Sequence, residues 1–250
     1  MEPKSAKVAA GKRNAANREM VTRANGDRTK EKLLNAAEAL FGQGSFDTVS
    51  LRDITNAAGV TLALSSYHFT TKENLFAEVV ARRAQVLNQM RREGLAQVLR
   101  CELTLEALLD AFMRPLFLQM ESEDAGWQAY VLVIAKLGQT NQWLDLLRAY
   151  FDQTAHIFLA QLTRLFPEGD EEELARCFSF ALQLMLVAVS NNQRLDSLSG
   201  GRFHASDLAR AYPVLLKFVV GGMKAALSLQ APAPRAQQSA VSKPGSRRQA

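Results

Sequence analysis

Cysteine and long apolar runs are both scarce in this chain. Only two cysteines occur in 250 residues, Cys101 and Cys177. They lie far apart without Cys or His companions at metal-ligand spacing, which leaves two readings: reduced packing residues or a redox switch. No apolar run approaches the roughly 18–20 residues that a membrane span needs. The strongest, Leu184 to Val189, is bounded by Gln183 and by Ser190, Asn191 and Asn192. The N-terminus is charged and lacks a hydrophobic core, so a secretory signal is not expected and the cytoplasm is the default location. Equally missing are a nucleophile elbow, a Gly-rich phosphate loop, a cluster of metal ligands and a plausible pair of catalytic carboxylates. Neither an enzyme nor a bound cofactor or metal is expected. No alternating strand of convincing length occurs either, and the fold class is read as all-α.

Apolar residues make up 48% of the chain, enough for a core in one domain or two small ones. Charge is unevenly placed. Residues 1–26 carry six Lys or Arg against Glu2 and Glu19, a net +4, and residues 231–250 carry Arg235, Lys243, Arg247 and Arg248 with no acid, another +4. Set against a total of +5, the body between them is net −3. Both ends are rich in Ala, Gly, Ser, Pro and Gln and poor in residues that could bury surface, so 1–26 and 231–250 are expected to be disordered basic segments. The first either reaches phosphates or a minor groove or serves only to solubilise.

The most informative stretch is residues 50–76, SLRDITNAAGVTLALSSYHFTTKENLF. Ser50 stands three residues before Asp53 in a capping-box pattern, which starts a helix at Leu51. Leu51, Ile54, Ala57 and Ala58 then share one face at helical spacing. Gly59 can take the positive φ that stops this helix and turns the chain sharply. Thr61 is placed to cap a second helix over about Leu62 to His68. Two short helices joined by a glycine turn form the grammar of a DNA-reading helix-turn-helix.

The stretch AGVTLALSSYHFTTKENLF resembles the AGVSxGxxYxHFxxKExL signature of TetR-type transcriptional regulators, and SLRDIT resembles their TSxRxIA. The likeness extends over 27–83, where RTKEKLLNAAEALFGQGSFDTVS is similar to the family's first helix and its Gly-x-Phe turn, here Gly44 and Phe46. Where the family favours Gly, a branched apolar residue and Tyr, this chain has Ala63, Ser65 and Ser66. Operator contacts are therefore not transferable, although the docking mode is. The Leu-Ala-x-x-x-Tyr-His-Phe variant also resembles a fatty-acid-responsive, PsrA-like subgroup.

The resemblance implies a sequence-specific DNA-binding regulator, usually a repressor, released from a palindromic double-stranded operator by a small molecule. Residues 27–83 would read DNA and 84–230 would bind the effector and dimerise. On the DNA side, Thr61, Leu62, Ala63, Leu64 and Ser66 would meet base edges, with apolar side chains suited to thymine methyl groups and Arg52 able to reach guanine. Tyr67, His68 and Lys72 would face the sugar-phosphate backbone. Exposure of Leu62 and Leu64 would itself mark an interaction surface.

Beyond Lys72 the chain reads as successive helices, over about 72–100, 104–120, 124–138, 141–166, 170–192 and 207–229, with Pro213 either kinking the last or starting its regular part. The Arg82-Arg83 and Arg91-Arg92 pairs are expected to be solvated. The last two helices are apolar on more than one face, and Gly221-Gly222 suggests a close helix approach. In the family these helices form a homodimer through a four-helix bundle. Phe112, Phe117, Trp127, Tyr130 and Ile134, with His156 and Gln183 as orienting polar groups, are the candidate lining of an effector pocket. Sparse charge among them implies a largely apolar effector. Two other classes stay open on sequence: a membrane-surface or protein-interaction module using the basic tails, and an all-α hydrolase.

Overall fold

A computed structural model describes residues 5–228, with side chains over 24–227. Every regular element among the described residues is helical. The first helix, α1, spans Ser5–Gln43. Of the arm 1–26, expected to be disordered, residues 5–26 continue the helix that follows. Their many alanines are the best helix formers and explain the continuity. The basic tail 231–250 lies outside the described residues.

Helix α2 is Leu51–Ala58, α3 is Leu62–Phe69 and α4 is Lys72–Arg100. Both expected punctuation marks are present: the Ser50–Asp53 capping box is complete, and Gly59 sits at φ 65° and ψ 36°. Hydrogen bonds from Ser50 hold the Asp53 carboxyl below its ordinary pKa. Ile54 and Thr55 form the buried face of α2, with Leu51 and Ala58 half-buried. Ala57, expected on that face, is exposed. Leu33, Ala37 and Phe41 of α1 pack with Ile54, Phe69, Leu75 and Phe76 beneath the three-helix unit, in a core that continues into the body.

The body continues with α5 (Leu105–Glu121), α6 (Ala125–Leu137), α7 (Leu144–Leu147), α8 (Gln153–Leu165), α9 (Glu171–Val189), α10 (Arg194–Leu198) and α11 (Leu208–Ser228). Thr71, Thr104, Asp124 and Asp170 each cap the helix that follows with a side-chain oxygen. The single helix expected over 141–166 is instead α7, a π-helical turn over Arg148–Asp152, and α8. A short helix, α10, occupies the expected loop, and α11 begins before Pro213 and runs through it.

Two seams join the N-terminal three-helix unit to the body. At the first, α1 lies against α6 so closely that a Cβ on Gly42 would come 2.8 Å from the Ala129 carbonyl. Lys136 of α6 donates to the carbonyls of Phe41, Gly42 and Gly44, neutralising the end of α1, and Trp143 packs edge-on to Phe46 and tilted against Phe76, with ring centres 4.7 Å from each. Burial lowers the Lys136 pKa.

The second seam is ionic. Glu38 of α1, 1% exposed, accepts from Arg83 at 2.8 and 3.0 Å and from Arg82 at 3.4 Å, and Arg83 also meets Asp124 and stacks over Trp127. Arg82 also pairs with Glu31. The Arg82-Arg83 pair, expected to be solvated, is therefore committed to Glu38. Consecutive helical residues point about 100° apart, and here both directions meet an acid.

Candidate nucleic-acid interface

Helix α3 presents an apolar and aromatic surface to solvent. Leu62 is 43% exposed, Leu64 40% and Tyr67 80%, while Thr61, Ala63 and Ser66 are also exposed. The opposite face is closed: Phe69 packs in the unit's core, and Ser65 is buried with its hydroxyl unpartnered. Burying one leucine stabilises by about 1.5–3 kcal/mol, and Leu62 and Leu64 leave part of that unused in the free chain. Thr61 leads into α3 in extended backbone without bonding its side chain to the helix end, contrary to its expected capping role. Its hydroxyl and the first N–H groups of α3 stay available to an acceptor such as phosphate.

The neighbouring side chains are arranged around this helix. Arg52, near the start of α2, is exposed. His68 is half-buried, edge-on to Tyr67 with ring centres 5.2 Å apart. Lys72 departs from expectation. Its ammonium donates to the carbonyls of Phe46 (2.7 Å) and Val49 (3.0 Å) and lies 4.1 Å from the centre of the Phe46 ring, so the side chain fastens the turn after α1 instead of projecting to phosphate. Its backbone N–H still belongs to the capped start of α4.

Gly59 orients α3 against α2. A Cβ there would touch nothing within 4 Å, so the demand for glycine is purely conformational. Gly59→Val is expected to lower stability by about 1–2 kcal/mol, the cost of a left-handed non-glycine residue, and to weaken DNA binding with it. Urea denaturation and operator titration would check this, and Gly59→Asn should lose less than Val.

The body holds a cavity of about 140 Å³, open to solvent on one side, lined by Phe112, Ile134, Leu147, Phe151, Leu182, Met185 and Leu186, with Arg91, Asp152 and Gln183 as its polar members. Of the seven expected lining residues, Phe112, Ile134 and Gln183 reach it. Phe117 instead stacks on Tyr212, Trp127 lies under Arg83, and Tyr130 is sealed in the core with its hydroxyl donating to the Val80 carbonyl. His156 is exposed on α8. Gln183 donates to the Gly138 carbonyl at 3.2 Å.

Sequence reasoning missed Arg91. Expected to be solvated, it is 4% exposed, donates through Nε to the Phe112 carbonyl at 3.0 Å, and has its guanidinium 3.9 Å from the centre of the Phe112 ring. Burial lowers its pKa to about 10, which leaves it cationic at neutral pH. A signal was present: Ala84, Leu87, Arg91 and Leu95 repeat at the spacing of one buried helix face, and all four are buried.

The outer faces of α9 and α11 carry a second exposed apolar surface. Phe180 (62% exposed), Leu184 and Val187 line one helix, and Val214 and Phe218 (67%) the other. Gly221 and Gly222 have open space where a side chain would be, so their close approach is not made within this chain. No helix among the described residues is long and apolar enough to cross a membrane, and none of their His, Cys, Asp and Glu side chains gather as a metal site.

Comparison with known proteins agrees with this geometry. Residues 33–79 match the family model described as bacterial regulatory proteins, tetR family, and residues 110–222 match that of the tetracyclin repressor-like C-terminal domain; together they span more than half of the chain. No curated protein sequence matches it. Among solved structures, the ketosteroid transcriptional regulator KstR2 of Mycobacterium tuberculosis is similar at TM-score 0.54 and 19% identity, over 77% of this chain and 93% of that one. The fatty acid degradation regulator FadR from Bacillus halodurans is similar at TM-score 0.51 and 15% identity, over 78% and 95%. At such identities the likeness is one of fold.

Proposed function

The chain belongs to the TetR family of bacterial regulatory proteins, and from that premise we propose that it docks α3 in the major groove of a palindromic operator, as a homodimer, and leaves it when a small apolar molecule enters the body. It is a DNA-binding transcriptional regulator and not an enzyme. The observation that carries the docking mode is the exposed face of α3, with Leu62, Leu64 and Tyr67 in solvent on a helix whose other side is locked into a core. Thr61, Leu62, Ala63, Leu64 and Ser66 would meet base edges, Arg52 would reach a flanking base, and Tyr67 and His68 would set the register on the backbone. Residues 27–83 act as the DNA-reading unit and 84–230 as the effector and dimer unit.

The apolar stripes of α9 and α11 support a two-fold interface, since a four-helix packing would cover Phe180, Val187, Val214 and Phe218 and bring Gly221 and Gly222 against a partner. Release requires an effector that favours one arrangement of the body over another. Helix α6 offers the connection: Ile134 borders the cavity, and Lys136, two residues on, holds the end of α1. The apolar lining supports a largely apolar effector. A fatty-acid-responsive, PsrA-like assignment is supported by the sequence of α3 and by that lining.

Selection of bound sequences from a random duplex library by the full-length protein, then titration at several salt concentrations, tests the proposal. A palindrome with half-sites about one helical turn apart, bound roughly 1,000-fold more tightly than competitor DNA, is expected. Uniform, steeply salt-sensitive binding to every duplex would overturn it.

A further inference from the structure

Arg91 is a buried cation without an anion. Its Nε donates to the Phe112 carbonyl, and among the described residues no carboxylate forms an ion pair with it; its terminal Nη groups make no hydrogen bond to protein and, unlike the sealed Ser65 hydroxyl, border the open space of the cavity. A guanidinium held in that way is costly, because burial removes water and the Phe112 ring replaces only part of it. The same guanidinium lines the cavity. Asp152, the one acid in that lining, is not paired with it.

We propose that this cavity takes a small monocarboxylate, whose two oxygens accept from the terminal Nη groups of Arg91 while its apolar body fills the space between Phe112, Ile134, Phe151, Leu182 and Met185. The inference rests on the effector reading above and gives that effector a chemical class. A planar guanidinium fork matches a carboxylate in two parallel hydrogen bonds. Asp152 in the same lining disfavours a ligand with a second acid group. Size sets the body: the cavity of about 140 Å³ is close to the roughly 150 Å³ apolar cavity known to hold a benzene molecule. A benzoate or a six-carbon acid fits that space.

Calorimetric titration of the full-length protein with benzoate and hexanoate, beside neutral benzamide and 1-hexanol, tests this. The acids are expected to bind at least about ten-fold more tightly than their neutral counterparts. Arg91→Met, which keeps the bulk and removes the charge, should abolish that preference while neutral binding persists, and Arg91→Lys should restore part of it. Melting curves report whether each variant folds; should the Met variant fail to, a Lys variant with unchanged preference for a planar carboxylate would count against the fork. Equal affinity for acids and neutrals, or no binding of any of the four at millimolar concentration, overturns the proposal. Operator release is read separately. Arg91-dependent acid binding with the operator still held would sustain the site and defeat the effector reading; release by neutral compounds alone would defeat the carboxylate and spare that reading.

Discussion

Glu38→Ala is expected to destabilise the protein by about 3 kcal/mol, at the lower end of the range for breaking a buried ion pair. Glu38 is 1% exposed, so its carboxylate has no water to return to and is neutralised by Arg82 and Arg83. Removing it leaves Arg82 with only Glu31 and Arg83 with only Asp124, both of them exposed acids. The two arginine side chains are 21% and 15% exposed, which lets them recover some hydration and keeps the loss from the upper end. For a chain of this length 1 kcal/mol corresponds to about 2–4 °C, so the melting temperature should fall by about 6–12 °C. Urea denaturation would report it. A loss under about 1 kcal/mol would mean the cluster behaves as a surface pair. The effect should also reach DNA binding, because the same carboxylate ties α1 to α4 and, through Arg83 and Asp124, to the start of α6.

Phe180→Glu combined with Phe218→Glu should turn the dimer into a monomer and weaken operator binding by roughly 100-fold or more, since two linked reading heads gain that much from effective concentration. Both rings are largely solvent-exposed within one chain, at 62% and 67%, so the substitutions should leave the fold intact. In a two-fold interface each charge would be buried twice, near its own symmetry mate and beside apolar neighbours. Sedimentation velocity gives the mass, and titration of the selected operator gives the affinity. A dimer that persists with unchanged affinity would move the interface to another face of the molecule.

The parts of this fold that were legible in sequence are those with local causes. Ser50, Asp53 and Gly59 act on backbone groups within a few residues of themselves. The π-helical turn at Arg148–Asp152 was not legible, because it changes hydrogen-bond register without interrupting the apolar pattern that announced one helix. The arginine doublets misled through a rule about composition: paired charges were assigned to solvent, while the helix turned Arg91 inward and brought Arg83 against Glu38, 45 residues away. Lys72 was assigned to phosphate from its place at a helix start, yet carbonyls from the turn after α1 claimed it. The cavity was legible only in kind. Its lining comes from α4, α5, α6, α9 and the segment around the π-turn, and no window of sequence shows which aromatic residues those helices will turn toward one another.

The clasp of Lys136 on the end of α1 bears on portability. An α-helix whose final carbonyls are satisfied by its own following turn can be cut out and moved; α1 is finished instead by a cation from the other half of the molecule, with Trp143 of that half wedged between Phe46 and Phe76. The DNA-reading segment is consequently not a free-standing cassette. Transplanted onto a foreign body, it would carry unsatisfied carbonyls and an uncovered aromatic pair at its cut edge. An exchangeable unit would have to take α6 and Trp143 along with the helices that touch DNA.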